Sequence, residues 1–119
     1  MTINRDEYIA AVQASIDASI ALREELLRSE AVGHRMIAAL LAGVDMADCV
    51  DAAGERPAAM RQAWADAHEN YLLRRHDMRW LFLRAAHGAG LNDSEIARQL
   101  GISRQSVEKS LKEPGHEDR

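Results

Sequence analysis

The chain is poor in most features that would take it away from a helical design. Aromatic residues are 4% of its 119 positions, so a core must be built from Ala, Leu, Ile, Val and Met, a set weighted toward helix formers. Only two prolines occur, Pro57 and Pro114, and neither interrupts an apolar periodic stretch. A single cysteine, Cys49, excludes an internal disulfide and suits a reducing compartment. Lysine is confined to Lys109 and Lys112, so arginine carries nearly all the positive charge. The longest apolar run, Met36 to Val44, is far short of the ~20 residues that cross a bilayer. The opening Asn4-Arg5-Asp6-Glu7 is unlike the basic-then-apolar start of a signal peptide. Together these absences predict an all-α cytoplasmic protein without membrane contact.

Chemistry-bearing constellations are also missing. His34, His68, His76, His87 and His116 show no ligand spacing with one another or with Cys49. Asp45, Asp48, Cys49 and Asp51 lie close in sequence, but a capped short helix accounts for them. Gly88 and Gly90 sit between helical stretches without the Lys-Ser/Thr signature of a phosphate loop. No nucleophile stands beside a base. The expectation is a non-enzymatic protein with no metal and no cofactor.

What is present is helical periodicity. From about Asn4 to Gly43, apolar residues recur at Ile9, Val12, Ile16, Ile20, Leu27, Ile37 and Leu41, a single stripe at helical spacing. Asn4 is a candidate cap, with Asp6 and Glu7 in the first turn, where the helix dipole favours acids. Gly33 marks a candidate break between Ala31 and His34. Asp45 is placed to cap a short helix from Met46 to Ala52, ending at Gly54. Pro57 suits the first position of the next helix. That helix runs to about His87, on the order of 45 Å at 1.5 Å per residue. Its stripe is Met60, Trp64, Ala67, Tyr71, Met78, Leu81 and Ala85, interrupted by Arg74, in the alternating four-three spacing of a coiled-coil heptad. Trp64 and Trp80 read as core or interface anchors. The predicted architecture is a long antiparallel helical hairpin followed by a C-terminal helix-turn-helix. The same stripes also suit packing between two chains.

The charge is unevenly spread. The net formal charge is −4. Residues 1–56 hold five Arg against ten Asp and Glu, whereas residues 57–90 hold five Arg against three acids. Within 98–112, Arg98, Arg104, Lys109 and Lys112 face only Glu108. Basic charge is therefore local to the second half. Arg74, Arg75, Arg79 and Arg84 precede that segment along the long helix, placed either to extend a phosphate-contacting surface or to serve as ordinary solvated charge. The organisation read from these patterns is an N-terminal helical dimerisation or partner region over 1–56, a long helix plus helix-turn-helix over 57–112, and a flexible tail over 113–119.

The most informative stretch is Gly90 to Val107. Asn92 can cap a helix, with Glu95 three residues on, as a capping box requires. Ile96, Ala97 and Leu100 share one face. Gly101 stands where a left-handed residue ends a helix at least cost. Ile102 plugs the turn, and Ser103 can cap a second helix whose inner face carries Val107 and Leu111. Leu81, Phe82 and Ala85 are expected to cover this unit from the preceding helix. The Gly90-Leu91 opening, Glu95-Ile96-Ala97, Leu100-Gly101-Ile102-Ser103-Arg104 and Ser106-Val107 resemble the helix-turn-helix of bacterial and phage DNA-binding proteins. The version is that of resolvase C-terminal domains, sigma-factor region 4 and small actinobacterial regulators. The resemblance spans about Arg84 to Lys112.

It implies a sequence-specific transcriptional regulator that binds double-stranded DNA with its second helix in the major groove. Arg104, Gln105 and Lys109 project away from Val107 and Leu111, with Arg suited to guanine and Gln to adenine. Ser103 and Ser106 are candidate phosphate contacts at the helix N-terminus, and Arg98 and Lys112 candidate phosphate neighbours. Two half-sites imply a homodimer. The rival expectation is a helical protein–protein interaction module, facing a basic partner such as a polymerase or sigma subunit through its acidic N-terminal helices.

Overall fold

The computed structural model describes residues 5–113. They form five helices: α1 (Arg5–Leu41), α2 (Cys49–Ala52), α3 (Pro57–Gly88), α4 (Asp93–Leu100) and α5 (Arg104–Lys112). The protein is all-α, with α1 and α3 in antiparallel contact and α4 and α5 packed together after them. Among the described residues no helix is long and apolar enough to cross a membrane. The expected cap at Asn4, most of the tail and His116 lie outside the described residues.

Two compact units can be distinguished. One comprises Asp17–Tyr71; the other combines the residues up to Ile16 with those from Leu72 onward. In the first, Val32 and Met36 of α1 share a cavity lining with Met60 and Trp64 of α3. The Arg28 guanidinium donates two hydrogen bonds to Glu55, Nε to Oε1 at 3.2 Å and Nη2 to Oε2 at 2.9 Å. Arg35 Nε donates to the Ala53 carbonyl at 2.8 Å. These contacts fasten the α2–α3 connection to α1. Cys49 and Ala53 are buried beneath them. In the second unit Tyr8 and Phe82 meet with ring centroids 6.1 Å apart.

Helix α1 departs from the sequence reading in two ways. It continues unbroken through Gly33, because one helix-interior glycine costs only about 1 kcal/mol and the flanking turns carry the helix across. Its inward seam is also not the apolar stripe. Ile9, Ile16, Ile20, Leu27, Ile37 and Leu41 are all exposed, from 38% at Ile20 to 85% at Leu41. Of that stripe only Val12 is half-buried. Most of the less exposed positions, Tyr8, Ala11, Ser15, Ala18, Leu22, Glu25, Val32, Met36 and Ala39, fall in a heptad register of mostly small side chains, with Val12, Ala14 and Gly33 flanking it. Small residues let two helix backbones approach closely, so the seam follows fit against α3 and not side-chain size.

The short helix is also shorter than its capping pattern implied. Asp48 occupies the N-cap position without a side-chain cap hydrogen bond. Residues 46–48 form a turn instead, closed by the Asp48 N–H on the Asp45 carbonyl at 2.9 Å.

Candidate nucleic-acid interface

The C-terminal helix-turn-helix is built by local signals that agree with one another. The Glu95 N–H donates to Asn92 Oδ1 at 2.9 Å, and the Asn92 N–H donates to Glu95 Oε1 at 3.4 Å, which closes a reciprocal capping box. Gly101 ends α4 in the left-handed region at φ 68°, and its N–H reaches the Ala97 carbonyl. Ser103 then caps α5, its Oγ accepting from the Ser106 N–H at 3.1 Å. The connection is therefore tight and its direction is set by three side chains and one glycine.

Beneath this unit lies a small core of Leu83, Ala86, Ile96, Ala97 and Val107, with Phe82, Leu91, Leu100, Ile102 and Leu111 packed around it. The covering residues differ from expectation. Leu83 is fully buried and Ala86 is buried, while Leu81 and Ala85 are only half-buried. The face of α3 that serves α4 and α5 is thus rotated from the heptad stripe of its first half. Phe82 packs where the sequence placed it.

Two residues of α3 fasten the far end of α5. Trp80 Nε1 donates to the Glu113 carbonyl at 2.8 Å. Arg84 donates through Nη2 to the Leu111 carbonyl and lies over the Trp80 ring, 5.1 Å from its centroid. A cation at the C-terminus of α5 meets the negative end of the helix dipole. Arg84 Nε is buried without a hydrogen-bond partner, so this guanidinium is committed to the fold. Arg74 pairs within α3 with Asp77 at 4.0 Å. Sequence reasoning read Trp80 as a core or interface anchor but missed its bond to Glu113 and the anchoring role of Arg84, because no local pattern records a contact across roughly thirty residues.

With its inner face and C-terminus committed, α5 presents its N-terminal turns to solvent. Ser103, Arg104, Gln105, Lys109 and Lys112 are exposed, as is Arg98 on α4, while Ser106 is half-buried. The structure brings these residues together on one compact unit, but in different states. Ser103 and Ser106 are engaged with each other, their Oγ atoms 2.9 Å apart. Arg104 Nε donates to Glu108 Oε1 at 3.1 Å. Ser106 and Lys109 line a cleft of about 260 Å³ between α5 and α3, opposite His76, Arg79 and Trp80. Arg79, exposed on α3, thereby joins Lys109 as a second cation on that side. Comparison with known proteins finds no matching family model, no similar curated protein and no similar solved structure.

Proposed function

We propose that the chain is a sequence-specific DNA-binding transcriptional regulator that inserts α5 into the major groove and works as a dimer on two half-sites. The observation that supports this most is the pairing of a doubly capped α4–α5 turn with an exposed face of α5 that carries Arg104, Gln105 and Lys109. In helix-turn-helix docking, residues at that end of the second helix reach base edges. Arg104 and Gln105 are the base readers in this reading. Lys109, Arg98 and Lys112 supply phosphate contacts, joined by Arg79. Ser103 and Ser106 first serve the cap, and their backbone N–H end gives the helix terminus its affinity for anions.

A salt titration of binding to mixed-sequence duplex DNA tests the reading. Affinity should fall steeply between roughly 50 and 200 mM salt as counterions are released. A folded protein with no measurable duplex binding at low salt overturns it.

The acidic net charge of −4 favours a second reading, a protein–protein interaction module that uses α4 and α5 as a packing unit. The same titration separates the two, since that module would not bind duplex DNA.

A further inference from the structure

The outward side of α1 is apolar without being used by its own chain. Within the unit Asp17–Tyr71 it carries Ile20, Leu26, Leu27, Ile37, Leu40 and Leu41, each between 36% and 85% exposed. These side chains leave on the order of 600 Å² of apolar surface in water, most of the ~800 Å² that one partner contributes to a standard interface. A contiguous apolar face of this size marks an interaction surface.

The residues among them indicate what covers it. Arg23 and Glu30 lie on the same side of α1, two turns apart, with Leu26 and Leu27 between them. Both are exposed, and neither forms an ion pair among the described residues.

We infer that this face of α1 pairs with the same face of a second copy, antiparallel, about a two-fold axis crossing the helix between Leu26 and Leu27. That one operation satisfies both features. It sets Leu26 of each chain against Leu27 of the other. It brings each Arg23 opposite Glu30 of the second copy, twice over, as an isologous contact demands. A parallel pairing would instead stack Arg23 on Arg23 and Glu30 on Glu30. An unrelated partner would account for the apolar area but not for its self-complementary register. The inference deepens the dimer in the proposed function by naming its surface, yet it is argued from α1 alone and its test contains no DNA.

The test is sedimentation equilibrium on the full chain and on Arg23→Glu and Glu30→Arg variants, with circular dichroism to establish that each remains helical. The natural chain should be a dimer. Each single charge reversal juxtaposes like charges at two places and should weaken the dimer about tenfold or more. Mixing Arg23→Glu with Glu30→Arg restores both ion pairs and should return dimers containing one chain of each kind. A natural chain that stays monomeric at ~100 μM overturns the inference. So do charge reversals that dimerise as tightly as the natural chain, or a mixture no tighter than its components. Each of these results leaves the DNA-binding reading standing, because that reading is decided by the duplex titration.

Discussion

Arg104 and Glu108 are joined across one turn of α5, Nε to Oε1 at 3.1 Å, at the position from which a recognition helix reaches base edges. The pair is exposed, 67% and 44% at the two side chains, so it is cheaply broken. In the proposed complex Arg104 exchanges Glu108 for a guanine edge, and the carboxylate is left near the phosphate backbone. Glu108→Gln should therefore tighten duplex binding several-fold at low salt, by freeing Arg104 and removing a negative charge beside DNA. Arg104→Ala and Gln105→Ala should relax discrimination by about 1–3 kcal/mol at the bases they read, while Lys112→Ala should weaken all sequences about equally. Fluorescence anisotropy across a panel of single-base variants measures both effects. Weaker binding by Glu108→Gln would assign Glu108 an orienting role in place of a restraining one.

The turn between α4 and α5 depends on two local devices of different physical kind. Asn92 satisfies an orphan N–H at the start of α4 and receives the reciprocal bond from Glu95. Asn92→Ala should cost about 1 kcal/mol through the lost cap. Gly101 has φ 68° with open space around it. Gly101→Ala meets no clash but places a Cβ in the left-handed region, and should cost about 1–2 kcal/mol. Urea unfolding followed by circular dichroism resolves both losses. Gly33→Ala on the same protein should be neutral or stabilising as a monomer, because Gly33 is helical and not left-handed.

The contrast between these positions explains which parts of the molecule could be read from its sequence. The α4–α5 unit was readable almost residue by residue, since Asn92, Glu95, Gly101 and Ser103 act within three or four positions of themselves. The helical class and the Pro57 start of α3 followed from composition and from proline's fixed φ for the same reason. The seam of α1 did not follow. Its periodicity is real, but Ile16, Ile20 and Leu27 mark the face left outward, while Ser15, Ala18 and Val32 fill the face against α3. Burial there is decided by how closely a second helix approaches, which residues on α1 do not encode by size. The anchoring of α5 by Trp80 and Arg84 escaped for a related reason, since both bonds go to backbone carbonyls that carry no residue-specific signal.

The core beneath the helix-turn-helix turns on Leu83, which is fully buried with Ile96 and Val107. Leu83→Ala removes its share of that packing and leaves a cavity under both short helices. The loss should fall in the range of about 2–5 kcal/mol. Leu81, two positions earlier and half-buried, lies off this core, and Leu81→Ala should cost less than half as much. Thermal melts of the two variants at equal concentration check the order. Comparable losses at the two sites would return the packing face of α3 to the simple heptad stripe.

Acid should loosen the Asp17–Tyr71 unit through Glu55. The hydrogen bond from Arg28, more than its charge alone, holds the Glu55 carboxyl below its ordinary value of 4.5, and the same contact raises Arg28. Because the folded value lies below the unfolded one, the pair's stabilising contribution is fully present above the ordinary carboxylate range. It is lost as the pH falls through the lowered folded value. Arg28 stays charged throughout, so Glu55 alone sets the window. Glu55 is partly exposed, with a quarter of its side chain in water, and solvent screening keeps the effect small. Glu55→Gln should lower stability at pH 7 and flatten its decline between about pH 5 and pH 3. Arg28→Ala should do the same through the other partner, and the double variant should be no worse than either single one. Urea midpoints across that pH range decide it. An undiminished pH slope in Glu55→Gln would move the acid sensitivity to other carboxylates.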